Sequence, residues 1–219
     1  MCSIHMAKID LALPDVTYLA LLGTISPENR ERCQGFKFKK DALRTLYGEL
    51  MVRQELQRQG YPNITLKKNE SGKPYAKGCP IYFNISHGGD YVVCAFSSAP
   101  VGIDIEAIKP VDLTIARRYF VMREYRALLA QPNRQDYFFR LWTLKESYMK
   151  WLGGGMAIPL DSFYIKTGET ITVTDSNRIA QPFFKEYQVP GYKLAVCSTL
   201  DFTTEIITMK GLTQDGFYT

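Results

Sequence analysis

Histidine and cysteine are scarce in this chain and scattered along it. The five cysteines, Cys2, Cys33, Cys79, Cys94 and Cys197, include no Cys-x-x-Cys pair, and the two histidines, His5 and His87, are too far apart for the His pair of a zinc finger. That excludes a zinc ribbon or finger, and an odd set of separated thiols argues against a disulfide framework. The expected state is reduced thiols in a cytoplasmic protein. Long apolar runs are also missing. Val16 to Ile25 is about ten mostly apolar residues, too short to cross a bilayer and without a basic flank or cleavage site. Val16-Thr17-Tyr18-Leu19 are good strand formers, so a buried strand is expected there. The net charge is only +5, far from the footprint of a dedicated nucleic-acid binder. It suits an anionic small molecule or an acidic protein partner; neither nucleic acid nor membrane is expected as a partner.

What is present is enough for a real core: 219 residues with 46% hydrophobic content form one large domain or two small ones. Ser26-Pro27-Glu28 reads as a helix start, with Ser26 as N-cap. A basic segment follows, containing Arg30, Arg32, Lys37, Lys39, Lys40 and Arg44; it is either a solvated face or part of a phosphate site. From Asp41 a helix carries Leu43, Leu46, Leu50 and Leu56 on one stripe and stops at Gly60-Tyr61-Pro62. Glu70-Ser71-Gly72-Lys73-Pro74 is turn chemistry that presents Lys73 on a loop. Ile81 to His87 and Tyr91 to Phe96 read as paired strands around Gly88-Gly89. His87 thus stands at a strand end, as a donor to phosphate or as a histidine satisfied by backbone.

Gly102-Ile103-Asp104-Ile105-Glu106 is the most suggestive stretch. In a strand Asp104 and Glu106 share one face while Ile103 and Ile105 point into a core. Two neighbouring carboxylates are either solvated at a strand end or held together by a hard cation such as Mg²⁺. A helical segment is expected from Leu113 to Phe120, and Asp136 to Leu152 is the strongest helix in the chain. Trp142, Glu146 and Lys150, four apart, form one stripe of it, with Lys145 about a hundred degrees round. Glu146 and Lys150 could be an ordinary helix salt bridge, but the aromatic head of the stripe draws Glu146 inward, where an unpaired carboxylate is costly and a third metal ligand would resolve the cost. Gly153-Gly154-Gly155 stops the helix, and strand-like runs from Phe163 onward suggest a β meander completing a sheet.

The order helix, turn, strands occurs twice. Glu49 and Arg53 precede Tyr91-Val92-Val93-Cys94, and Glu146 and Lys150 precede Lys193-Leu194-Ala195-Val196-Cys197. The offset of about one hundred residues points to an internal duplication jointed near Ala99-Pro100, with a ligand cleft between halves 1–100 and 101–219.

Gly102-Ile103-Asp104-Ile105-Glu106, followed by Trp142-Thr143-Leu144-Lys145-Glu146-Ser147-Tyr148-Met149-Lys150, resembles the hallmark motifs (V/I)G-x-D-x-E and W-x-x-K-E-(S/A)-x-x-K of the 4′-phosphopantetheinyl transferases. Ile25-Ser26-Pro27-Glu28, Arg44-Thr45-Leu46, Gly72-Lys73-Pro74 and Phe83-Asn84-Ile85-Ser86-His87 look like further landmarks in the right order, most like those of the surfactin-synthetase-activating type. The resemblance implies an α+β fold of two similar halves related by a pseudo-twofold axis, with the active site between them. It implies transfer of the phosphopantetheine arm of coenzyme A, the co-substrate, to a serine of an apo peptidyl or acyl carrier protein, with adenosine 3′,5′-bisphosphate released and Mg²⁺ required, Mn²⁺ being a plausible substitute.

Carried over by motif, Asp104, Glu106 and Glu146 hold the metal. His87 and Lys150 donate to the diphosphate, Lys145 supports the diphosphate or the ligand geometry, and Glu146 is the general base, directly or through a water. Arg44, Thr45, Lys73 and Ser86 match positions at the 3′-phosphate and adenine end. One departure stands out: relatives tend to carry a lysine shortly after Ser-Pro-Glu, where this chain has Asn29, while Arg32 keeps the next basic position. The form of the second motif favours the class that modifies peptidyl carriers of nonribosomal synthetases in antibiotic biosynthesis; the expected oligomeric state is a monomer. Without the resemblance, the same carboxylates and lysine would suit a metal-dependent nuclease, and a carrier-binding module without catalysis is the non-enzymatic alternative.

Overall fold

The computed structural model describes residues 1–176, 181–213 and 216–218; residues 177–180, 214, 215 and 219 of the expected second half lie outside it. Strand β1 (Cys2–Lys8) leads into helices α1 (Asp15–Leu22), α2 (Pro27–Gly35) and α3 (Lys39–Arg58). Two hairpins follow, β2 (Thr65–Lys68) with β3 (Pro74–Lys77), and β4 (Tyr82–Gly88) with β5 (Tyr91–Ser97). Strand β6 (Val101–Ala107) opens the second half, followed by α4 (Thr114–Tyr119), α5 (Met122–Leu129) and α6 (Arg134–Leu152). The chain closes with β7 (Tyr164–Lys166), β8 (Thr172–Thr174), β9 (Phe183–Val189), β10 (Tyr192–Ser198), β11 (Phe202–Met209), β12 (Gly211–Thr213) and β13 (Gly216–Tyr218).

Each half lays one long helix on one sheet. In the first, the sheet order is β11-β1-β5-β4, and Leu43, Leu46 and Met51 of α3 share a core with Val92, Cys94 and Phe96 of β5. In the second, the order is β6-β10-β9, and Leu144, Tyr148 and Met149 of α6 pack on Ala195 and Cys197 of β10. Alternation decides what each strand contributes: Ile103 and Ile105 of β6 are fully buried in a third cluster with Leu194 and Val196, which leaves Asp104 and Glu106 for the other face. The result is the two-half α+β architecture expected from the repeated order of elements.

The local signals for the long helices hold. Ser26 caps α2 by accepting from the Asn29 amide at 3.4 Å, with Pro27 as first helical residue, and Asn133 caps α6 by accepting from the Asp136 amide at 3.0 Å. Two expectations do not hold. Val16 to Leu22 is helical, within α1, and its outer residues Val16 and Leu19 are exposed while Leu21 and Leu22 are buried. Strand propensity is overridden by packing: as a helix the segment buries Leu21 and Leu22 in the core that α3 shares with β5. Nor do all the later strands complete one meander. β11 leaves the second half and runs parallel to β1, pairing Ile4 with Ile206, so residues 202–209 belong to the first half's sheet. Alternation in a sequence marks a strand but not its partner.

Candidate active site

The two sheets meet where β4 lies against β6. Asn84 on β4 accepts from the Ile103 amide at 2.9 Å, and two residues along, on the same face, Ser86 donates its hydroxyl to Asp104 Oδ1 at 2.8 Å. On the other side β6 is pressed onto α6. A Cβ on Gly102 would stand 2.0 Å from the Ser147 carbonyl oxygen and 2.3 Å from the Trp151 amide nitrogen, so only glycine lets the carboxylate strand approach the helix this closely.

That approach brings the stripe of α6 over the carboxylates. Trp142, Glu146 and Lys150 line one pocket with Ser86, His87, Asp104 and Glu106, about 300 Å³ in volume. Trp142 is fixed by stacking on Phe138, ring centroids 5.7 Å apart. The Lys150 ammonium donates to Asp104 Oδ1 at 2.6 Å and to Ser86 Oγ at 2.9 Å. Asp104 Oδ2 is buried with no hydrogen-bond partner, and among the described residues the Glu106 and Glu146 carboxylates make no ion pair or hydrogen bond.

The electrostatics follow from this crowding. Burial, then the neighbouring Asp104 charge, pushes the Glu106 carboxyl up to about 7, with Lys109 and Lys150 opposing. Burial and Asp104 likewise raise Glu146, against the pull of Lys150. His87 opens onto the pocket; desolvation in the cleft, then the charges of Arg44 and Lys150, lower its pKa, so the ring is held neutral. Three carboxylates facing one pocket under one ammonium form a donor set that a hard divalent cation fits: all oxygen ligands, mutually repelling, with one orphaned buried oxygen. Among the described residues no cluster of three or more His, Cys, Asp or Glu side chains is closed up as a metal site, and Lys150 occupies Asp104 Oδ1.

A second cavity of about 200 Å³ adjoins the pocket and shares Ile85 and His87 with it. Arg32, Arg44 and Thr45 line it, and so do Gly72 and Pro74 of the turn. Arg44 is aimed by the Asp41 carboxylate at 2.9 Å and the Gly89 carbonyl at 2.6 Å, leaving its Nε buried and unpartnered.

Three of the sequence-derived positions do not line this second cavity. Lys73 does not line it: its Nζ donates to the Val101 and Lys150 carbonyls at 2.9 and 2.5 Å, tying the start of β6 to the end of α6, and burial pulls its pKa down to about 8. Ser86 sits with Asp104 and Lys150, in the carboxylate pocket. Lys145 is fully buried on another face of α6, its Nζ 2.8 Å from Glu124 Oε1 and 2.9 Å from the Phe163 carbonyl oxygen.

The sequence reading missed Glu49 and the pair Lys67-Lys68, all of which line the second cavity. Glu49 is a buried hub that accepts from the Ser26 amide at 2.6 Å, Ser26 Oγ at 2.7 Å, Asn29 Nδ2 at 2.6 Å and Arg53 Nε at 2.7 Å, fixing the start of α2 on α3. Its signal was a glutamate amid the apolar stripe, four residues before an arginine.

Comparison with known proteins identifies the family. Residues 14–99 match the model of the 4′-phosphopantetheinyl transferase N-terminal region, and residues 100–197 that of the 4′-phosphopantetheinyl transferase superfamily. The chain is 44% identical to the 4′-phosphopantetheinyl transferase Sfp of Bacillus subtilis (strain 168), over 84% of this chain and 87% of that protein. It is 42% identical to the transferase ffp of Bacillus subtilis, over 86% and 88% of the two chains. With the transferase gsp of Aneurinibacillus migulanus the identity is 40%, over 89% and 85%. With its halves meeting at a carboxylate strand and relatives that match over nearly their whole length, the chain belongs to the 4′-phosphopantetheinyl transferase superfamily.

Proposed function

We propose that the carboxylate pocket is where the diphosphate of coenzyme A is cleaved, and that the arm is passed there to the serine of an apo carrier protein. The chain's function is that of a phosphopantetheinyl transferase using coenzyme A on carrier proteins; the roles below are our reading of how its residues perform it. The observation that carries them is the unpaired state of Glu106, Glu146 and Asp104 Oδ2 around a pocket that also holds Lys150 and His87.

Asp104, Glu106 and Glu146 would hold Mg²⁺, which supplies charge neutralisation of the diphosphate. Lys150, released from Asp104, and His87 donate to diphosphate oxygens as charge moves onto the leaving group. Glu146 takes the proton of the serine hydroxyl directly or through a water. The serine Oγ to phosphorus bond forms, the phosphorus to oxygen bond of the nucleotide breaks, and adenosine 3′,5′-bisphosphate leaves. Arg44 and Arg32 hold the nucleotide in the adjoining cavity, whose wall is Gly72 and Pro74.

For the carrier we propose an acidic peptidyl carrier protein of a nonribosomal synthetase. Supporting this, α4 and α5 expose Arg117, Arg118, Arg123 and Arg126 beside the exposed apolar side chains of Tyr119 and Met122. For location we propose the cytoplasm, a reading supported by five free thiols, four of them buried. No described helix is long and apolar enough to cross a membrane.

The experiment is intact mass of an apo carrier after incubation with coenzyme A and Mg²⁺. The wild type adds one phosphopantetheine; Asp104→Ala and chelation each abolish the gain. A wild type that modifies neither peptidyl nor fatty-acid carriers would sink the proposal, and chelation without effect would remove the metal from it.

A further inference from the structure

Coenzyme A carries a ribose 3′-phosphate, and two positions from which a lysine could meet it offer no free ammonium here. The position after Ser26-Pro27-Glu28 is Asn29, whose amide is held by Glu49 at 2.6 Å. The Lys73 ammonium is spent on two carbonyls. Arg44 is anchored at the end of the cavity that adjoins His87, by Asp41 and Gly89. The far wall is the β2–β3 hairpin. Leu66 of β2 lines the cavity and packs on the core, and alternation places Lys68 on the same face as Leu66. The Lys68 ammonium reaches across to Glu28 Oε1, another lining residue, at 2.5 Å.

We infer that Lys68 is the specificity residue for the 3′-phosphate of coenzyme A, and that Glu28 holds its place in the unliganded chain. This deepens the transferase reading and rests on it. Both partners of the Lys68–Glu28 pair are open to solvent, so the pair contributes little and is easily exchanged. A phosphate dianion offers the ammonium more charge and more acceptor oxygens than one carboxylate does. Because Gly72 and Pro74 belong to the turn and strand that close the same hairpin, one unit supplies both a wall of the nucleotide cavity and the lysine.

Steady-state kinetics with coenzyme A and 3′-dephospho-coenzyme A test this. Lys68→Ala raises KM for coenzyme A about tenfold, the loss of one charge-assisted hydrogen bond, while KM for 3′-dephospho-coenzyme A and kcat with either donor stay as in wild type. Lys77→Ala, an exposed lysine of the same hairpin that does not line the cavity, changes none of these. Equal rises in both KM values, or no rise, overturn the inference.

Calorimetry needs no turnover and decides the matter separately. Wild type prefers adenosine 3′,5′-bisphosphate to adenosine 5′-monophosphate, and Lys68→Ala loses that preference. Absence of the preference in wild type, or its persistence in the variant, also overturns the assignment. A chain that shows the preference but transfers nothing would sink the transferase reading instead.

Discussion

Lys145 stands beside Glu146 in the second motif, and its burial makes the distinction between a catalytic and a structural lysine measurable. Its Nζ pairs with Glu124 at 2.8 Å, both side chains being fully buried, and lies 4.1 Å from the Phe163 ring centroid. Glu124 is committed to more than this pair. Its Oε1 accepts from the Ile165 amide at 2.8 Å and its Oε2 from the Val121 amide at 3.0 Å, joining α5, α6 and β7. Lys145→Met therefore leaves a buried carboxylate with two amides and no counter-charge, which costs about 3–5 kcal/mol. At about 2–4 °C per kcal/mol for a chain of this size, Tm falls by about 6–20 °C.

The pairing, not the lysine itself, is what stabilises. Glu124→Gln combined with Lys145→Met therefore recovers a large part of the loss, since glutamine still accepts from one amide. The assay is thermal unfolding of the two variants alongside kcat measured well below either Tm. The structure requires kcat within a few fold of wild type for the double variant. An unchanged Tm with kcat reduced a hundredfold or more in Lys145→Met would refute the reasoning and return Lys145 to the reacting atoms.

Three further outcomes follow from the same geometry. Gly102→Ala drives a methyl into the Ser147 carbonyl and the Trp151 amide, so β6 must lift from α6; transfer should fall at least tenfold even at temperatures where circular dichroism shows the variant folded, and wild-type kcat would disprove the close approach. His5 is buried on β1 beside Glu55, and burial, partly offset by Glu55, lowers its pKa below 6.5. The folded chain then binds fewer protons than the unfolded one just below pH 6.5, so His5 lowers stability as pH falls through 6.5 toward its folded pKa. Comparing denaturant curves of wild type and His5→Gln from pH 7.5 to 5 cancels the opposite slope of Glu106, and wild type should lose up to about 1.4 kcal/mol more per pH unit; parallel curves would remove His5 as the cause. Glu49→Ala unties Ser26, Asn29 and Arg53 at once, so KM for coenzyme A should rise severalfold as the start of α2 loosens, and an unchanged KM would show that the hub does not shape the cavity.

Much of the site was legible because its residues are set by local periodicity. A period of two placed Asp104 and Glu106 on one face of β6, and a period of four placed Trp142, Glu146 and Lys150 on one stripe of α6; both placements stand in the structure. The same periodicity put Lys145 on a different face from Glu146, so its burial against Glu124 was implicit in the helix, while its partner, on α5, was not. The contacts of Lys73 and Ser86 were not legible for the opposite reason. A turn residue's ammonium goes where acceptors converge, and the Val101 and Lys150 carbonyls converge only once β6 and α6 have docked.

The sequence by itself determined the elements, the repeated helix-and-strand order and the carboxylate faces, because propensity, capping and alternation act over a few residues. Tertiary structure decided what those faces meet. The docking of β4 on β6 through Asn84 and Ser86, the return of β11 to β1, and the close seat of Gly102 on α6 each depend on backbone groups far apart in the chain. Hydrogen-bond donors and acceptors buried there must be satisfied together, and no local pattern records which partners will do it.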